Sequence, residues 1–85
     1  MDKPIRFSRH AEFQLSFRGT NRAEVIEAIQ TSPWKPAELG KLDCRKDFPY
    51  NQIWNGKHYQ TKQVRPIFAE EKNELVVVTV YVYYF

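Results

Sequence analysis

The feature that most constrains this chain is its last stretch, Leu75 to Phe85, built almost wholly of Val, Thr, Tyr and Phe. Such residues fit a pleated, half-buried surface, so the stretch reads as a strand. Successive side chains alternate across a strand. Val76, Val78, Val80 and Val82 therefore form one row, and Leu75, Val77, Thr79, Tyr81, Tyr83 and Phe85 the other. The all-Val row is expected to face a layer of helices. The Thr/Tyr row is expected to face a half-open side, where hydroxyls meet water or a ligand. A strand this apolar belongs in the middle of a sheet rather than at its edge.

The cover comes from the first third of the chain. Pro4 to Phe7 reads as a short extended entry. Ser8 suits an N-cap and Gly19 a C′ position, so Arg9–Arg18 is expected to be a helix. Its apolar residues pair as Ala11 with Leu15 and Phe13 with Phe17 on nearly opposite sides. A helix buried on two sides, between a sheet and a second helix, would accommodate both pairs. Asn21 and Glu24 have capping-box spacing before a second helix with Val25, Ile26 and Ile29 on one face, stopped by Pro33. The tight Gly19-Thr20-Asn21 link makes the two helices an αα-hairpin. Ser32 to Gly40 is a loop, with Trp34 on the core.

Strands follow. Lys41–Phe48 and Tyr50–Trp54 are expected first, and Asn55-Gly56 marks a two-residue hairpin. Lys57–Arg65 follows, with Ile67–Ala69 as its continuation and Pro66 implying a bulge or an edge. Glu70–Asn73 turns the chain into the last strand. The expected architecture is one α+β domain over residues 1–85. Two N-terminal helices pack on one face of a mainly antiparallel sheet of three or four strands.

Size and composition exclude much else. Eighty-five residues support one compact core. No apolar run approaches a membrane span. Met1 to Arg9 lacks the apolar core of a secretory signal, so the expected location is the cytoplasm. A single cysteine, Cys44, forms no internal disulfide, and with His10 and His58 gives no zinc spacing, so neither metal nor cofactor is expected. The net charge of +3 is mild, but its distribution is uneven. Residues 1–22 carry Lys3, Arg6, Arg9, Arg18 and Arg22 against Asp2 and Glu12, and residues 48–69 carry Lys57, Lys62 and Arg65 without an acid. If these segments meet, they form a positive surface suited to phosphates.

Phe7-Ser8-Arg9-His10-Ala11, then Phe17-Arg18-Gly19-Thr20, then Val25 and Ala28-Ile29, and finally Val77-Val78-Thr79-Val80-Tyr81, occur in an order that resembles a bacterial family of small domains of unknown function. That family's pattern is a Ser/Thr-x-His-Ala start, an Arg-Gly turn and a valine-rich last strand ending in tyrosines. It is similar to RelE/ParE-like toxins and, more loosely, to the compact ribonucleases of the barnase, colicin D and RelE group. The resemblance spans about Ile5 to Tyr84 and implies a RelE-like fold with one sheet face open as a groove. It also implies metal-independent RNA cleavage, held in check by a protein antitoxin.

Such cleavage needs a base for the 2′-OH, an acid for the leaving oxygen and cations for the charge on phosphorus. His10, at the signature position in the first turn of the helix, is the leading acid/base candidate, with Tyr81 beside it. The competing reading makes His10 a capping or packing residue, and His58 reads as a surface residue beside a turn. Arg18, Lys62 and Arg65 are the candidate phosphate contacts, although Lys62 and Arg65 fall on opposite faces in simple register. Tyr83 is a candidate for base stacking. Asp43 and Asp47 read as turn or salt-bridge residues. A second function class is a protein-interaction module without catalysis, using the Tyr/Thr face or a sheet edge to bind a partner.

Overall fold

The computed structural model describes residues 3–85, and Met1 and Asp2, part of the stretch weighed above as a signal, lie outside the described residues. The chain forms β1 (Ile5–Phe7), α1 (Arg9–Arg18), α2 (Arg22–Thr31), β2 (Lys35–Pro36), a tight turn at Glu38–Gly40, β3 (Leu42–Asp43), β4 (Lys46–Trp54), β5 (Lys57–Glu70) and β6 (Leu75–Tyr84). It is an α+β protein with two helices ahead of a mainly antiparallel sheet, and among the described residues only β1 and β6 pair in parallel.

The sheet has six strands rather than three or four, in the order β1-β6-β5-β3-β2 with β4 also on β5. The extended entry is a true edge strand, because Ile5, Arg6 and Phe7 find Leu75, Val76 and Val77 to pair with. The stretch expected as one strand, Lys41–Phe48, breaks at Cys44-Arg45. Its first part becomes β3, and the rest fuses with Tyr50–Trp54 into β4. β4 bulges between Pro49 and Gln52, where Asn51 takes φ 50°. The Asn55-Gly56 turn forms as read, both residues at positive φ (50° and 83°).

Pro66 lies buried where β5 lacks a partner on one side, so the expected edge is a local one inside the sheet. Thr61 and Phe85 exchange both backbone hydrogen bonds, at 2.7 and 3.1 Å. Counting along from them puts Pro66 and Val80 in a non-hydrogen-bonded pair. Its other side falls between the last β4 partner, at Val64, and the first β3 partner, at Ile67. The missing N–H therefore breaks no ladder bond.

Both helix starts follow their caps. Ser8 Oγ accepts from the Ala11 N–H at 3.1 Å, and Asn21 Oδ1 from the Glu24 N–H at 2.9 Å. The capping box is only half made, because the Glu24 carboxylate turns to the Thr20 hydroxyl (2.8 Å) and to Lys62 instead. Gly19 closes α1 at φ 80°, as a C′ glycine does.

α1 rests on β6 and α2 on β5. Ala11 and Leu15 enter the core, whereas Phe13 and Phe17 stay 68% and 73% exposed. The expected two-sided burial of α1 does not occur, because no element among the described residues covers its outer side. The core joins these helix residues and Val25, Ala28 and Ile29 to Val64, Phe68, Leu75, Val77 and Val80. Each such fully buried Val, Ile or Phe contributes about 1.5–3 kcal/mol. Trp34 closes one end, its ring edge-on to Phe68 at 5.0 Å and its Nε1 donating to Ile29 O at 2.8 Å.

The rows of β6 depart from simple alternation. Thr79 pairs with Ile67 and Val77 with Phe68, which leaves Val78 as an extra residue. This bulge exchanges the faces of everything before it. The core row is Leu75, Val77, Val80 and Val82, and the open row is Val76, Val78, Thr79, Tyr81 and Tyr83. The expected Val76 and Val78 on the helix side, and Leu75 and Val77 on the open side, are corrected by that one residue.

Candidate phosphate and base-binding face

Beyond Phe7 no described strand pairs the outer edge of β6, and α1 runs along it. Ser8 N–H donates to Val77 O at 2.9 Å, and one helix stripe follows. Gln14 Oε1 accepts the N–H of Val80 at 2.9 Å, and Arg18, four residues on, carries its guanidinium around the edge to the open face. There Arg18 Cζ lies 5.5 Å from the centre of the Tyr81 ring. Arg65, from β5, lies 5.6 Å from the same ring. Tyr81 is thus flanked by two guanidiniums, each held by cation–π attraction.

The two cations differ. Arg65 Nη2 and Nε reach Asp43 Oδ2 at 2.6 and 3.1 Å, and Nη1 reaches the Tyr83 hydroxyl at 3.3 Å. Hydrogen bonding to Asp43 first, and then to Tyr83, raises the Arg65 pKa above its usual value. Its charge is neutralised locally, and its planar fork fixes both tyrosines. Arg18 has no carboxylate within salt-bridge distance among the described residues, so it is the cation free to meet an anion. Tyr81 and Arg65 stand at one side of a groove of about 700 Å³. Its floor is Val78, Thr79 and Ile67, and its far wall is the segment from Pro36 to Lys41.

Of the sequence-derived candidates, Arg18, Arg65, Tyr81 and Tyr83 come together here. Lys62 does not. It is 7% exposed on the helix side, donating to Gly19 O at 2.9 Å and pairing with Glu24 at 2.8 Å. His10 is exposed in the first turn of α1, two residues past the cap. Eight residues separate it from Arg18, about 12 Å along the helix axis. His58 is exposed beside the hairpin turn. The broad positive surface is also reduced, because Lys3, Arg6 and Arg22 pair with Glu70, Glu74 and Glu12.

The Arg18-Gly19 pair has a separate structural duty. Tyr84 donates from its hydroxyl to Arg18 O at 2.7 Å and stacks on Trp54 at 4.8 Å. A side chain at Gly19 would meet both rings. Burial first, then Tyr50 and Glu24, push the Tyr84 hydroxyl up to about 12. Burial and Asp43 push the Cys44 thiol up to about 11, which keeps it protonated and unreactive.

Asp43 is a salt-bridge residue as read, but sequence reasoning did not give Arg65 as its partner, and it passed over Glu38, Lys41 and Thr79 as groove residues. The Asp43–Arg65 pair crosses two strands with a β-break between, so no sequence spacing announces it. Among the described residues no three His, Cys, Asp or Glu side chains converge as for a metal ion. No helix among them is long and apolar enough to cross a membrane. No protein-family model, curated protein or solved structure matches the chain, and the reading of this face rests on its geometry.

Proposed function

We propose that the chain is a RelE-like, toxin-type RNA-binding domain that holds single-stranded RNA on its open sheet face. The observation that carries this is the Tyr81 ring, set between Arg18 and Arg65 at the side of an open groove. The Tyr81 ring steadies Arg18 through its face, Tyr83 on the same row is 40% exposed and offers a ring for base stacking, and the unpaired Arg18 guanidinium grips phosphate bidentately. Two helices behind a sheet with a bare front support the RelE-like reading. Metal-independent cleavage is the chemistry that the resemblance adds, with His10 and Tyr81 as acid/base candidates and an antitoxin-like protein as regulator.

The test is binding of a labelled single-stranded RNA, followed by fluorescence anisotropy across salt concentrations. Arg18→Ala and Tyr81→Ala should each weaken binding about five-fold or more, as expected for the loss of a stacked base or phosphate contact. Arg18→Ala should also lower the salt slope by about 0.7, the single-strand value per phosphate. Incubation of RNA with EDTA, wild type beside His10→Ala, separates cleavage from binding. No measurable RNA binding, or binding indifferent to both substitutions, would sink the proposal.

The protein-interaction reading draws on a different surface. Phe13 and Phe17, 5.6 Å apart on the bare side of α1, form an exposed aromatic pair. A protein that self-associates through this pair and ignores RNA would favour that reading.

A further inference from the structure

A second concavity lies on the helix side of the sheet, away from the groove, where the end of α2 meets β1 and the start of β6. Its volume is about 260 Å³. Pockets for drug-sized ligands run to about 300–1,000 Å³, so this one suits a smaller molecule. Its apolar wall is Ile5, Ile29, Leu75 and the Trp34 ring. Ile5 and Leu75 are register partners, and Ile29 and Leu75 belong to the core. Trp34 is held by the bond from Nε1 to Ile29 O at 2.8 Å, with 40% of it still exposed. The wall is therefore fixed before any ligand arrives.

The rim carries an ion pair. Lys3 Nζ donates to Glu70 Oε2 at 3.2 Å and to Glu71 O at 2.7 Å. An ammonium has three N–H groups, so one is left over, and Glu70 Oε1 accepts from no described residue. Both side chains line the cavity. The pair thus keeps one donor and one acceptor, of opposite charge, together at the mouth. The remaining side is the end of α2, whose last turn holds no basic residue, so its carbonyl end favours positive charge. A lone cation would be opposed here by Lys3, and a lone anion by Glu70. A zwitterion with its two charges on one carbon satisfies both. We propose that this cavity binds a free α-amino acid with an apolar side chain. Its carboxylate meets Lys3, its ammonium meets Glu70 and the end of α2, and its side chain lies against Ile5, Ile29, Leu75 and Trp34. The four charges alternate around the mouth without breaking the Lys3–Glu70 pair. The site is separate from the face proposed for RNA and does not rest on that reading.

The experiment is an NMR titration of the full chain, read at the Trp34 indole N–H and the Ile5, Ile29 and Leu75 amides. The probes are leucine, glycine, isoamylamine (leucine without its carboxylate) and isocaproate (leucine without its amine). Leucine should bind about ten-fold or more tighter than glycine, for the burial of its side chain. It should bind about three-fold or more tighter than either singly charged analogue, the modest effect of contacts at an exposed rim. Lys3→Met should weaken leucine and isocaproate but not isoamylamine. Glu70→Gln should weaken leucine and isoamylamine but not isocaproate. An exposed pair contributes little to folding, so both variants should keep the wild-type melting temperature. The ligand series with the unaltered chain tests the site independently of them. No shift with leucine at these signals, leucine no better than glycine or than either analogue, or binding indifferent to both substitutions overturns the assignment.

Discussion

The Gln14 amide oxygen accepts the backbone N–H of Val80 at 2.9 Å, across 66 positions of sequence. β1 stops at Phe7, and Gln14 supplies at Val80 the acceptor that a longer β1 would have supplied. The bond is buried, so its loss leaves an N–H without water. Gln14→Ala is expected to cost about 1–3 kcal/mol, read by urea unfolding. Amide exchange at Val80 should accelerate more than at its β5-bonded neighbours. Unchanged exchange at Val80 would show that the side chain closes nothing.

Gly19→Ala tests the close approach of α1 to the β4–β5 hairpin. The added methyl would meet the Tyr84 hydroxyl and lie 2.7 Å from the Trp54 ring, at a φ of 80° that alanine disfavours. Crowding and backbone strain together should destabilise the fold by about 2–4 kcal/mol. The check is the denaturation midpoint, together with loss of the near-ultraviolet signal of Trp54.

Tyr84 gives stability a pH dependence on the alkaline side. Its hydroxyl is raised to about 12 in the folded chain, from an ordinary value of 10. The unfolded chain therefore ionises first. The contribution is complete below about pH 10 and disappears as pH climbs towards 12. Tyr84→Phe should lose about 1 kcal/mol at neutral pH, for the bond to Arg18 O. It should also show a shallower fall in stability between pH 10 and 12 than the wild type. Parallel curves would remove Tyr84 as the cause.

Lys62→Met separates stability from binding. Lys62 is buried on the helix side with Glu24 and Gly19 O, so removing it leaves Gly19 O without this donor and Glu24 with the Thr20 hydroxyl alone. A cost of about 1–3 kcal/mol is expected. RNA affinity and its salt slope, by anisotropy below the melting range, should match the wild type. A lowered slope would return Lys62 to the phosphate contacts.

Phe13→Ser with Phe17→Ser should change the unfolding free energy by less than about 0.5 kcal/mol, as for surface positions generally. Both rings already face solvent. A larger loss would show that the pair packs on something.

The caps, the Asn55-Gly56 hairpin and the order of the two helices before the long strands were legible, because each depends on neighbours in sequence. The last strand, expected to be central, is flanked on both sides only over Leu75–Val77, where the short β1 covers it. Four features were not legible. Which row of β5 shares the tyrosine face stays open under simple alternation, and only the pairing of Arg65 with Tyr81 decides it. The bulge at Val78 comes from how β5 meets β6, and no residue type marks it. Lys62 reads as a free cation until Glu24 arrives from α2. Phe13 and Phe17 look like core until the helix proves to have only one covered side.

The extra residue at Val78 makes the last strand unequal in what it tolerates. Val77 already pairs with Phe68 and Thr79 with Ile67, so excising Val78 would splice two correctly facing halves into one regular ladder. Leu75, Val77, Val80 and Val82 would stay under the helices, and Tyr81 and Tyr83 would stay outside. Two residues on, the same excision at Val80 would leave the bulge in place and break the alternation beyond it. If β1 kept its grip on Leu75–Val77, Tyr81 and Tyr83 would then turn under the helices and Val82 would line the groove. One position in this strand is therefore spare chain, and its near neighbour decides whether the face can hold a base at all.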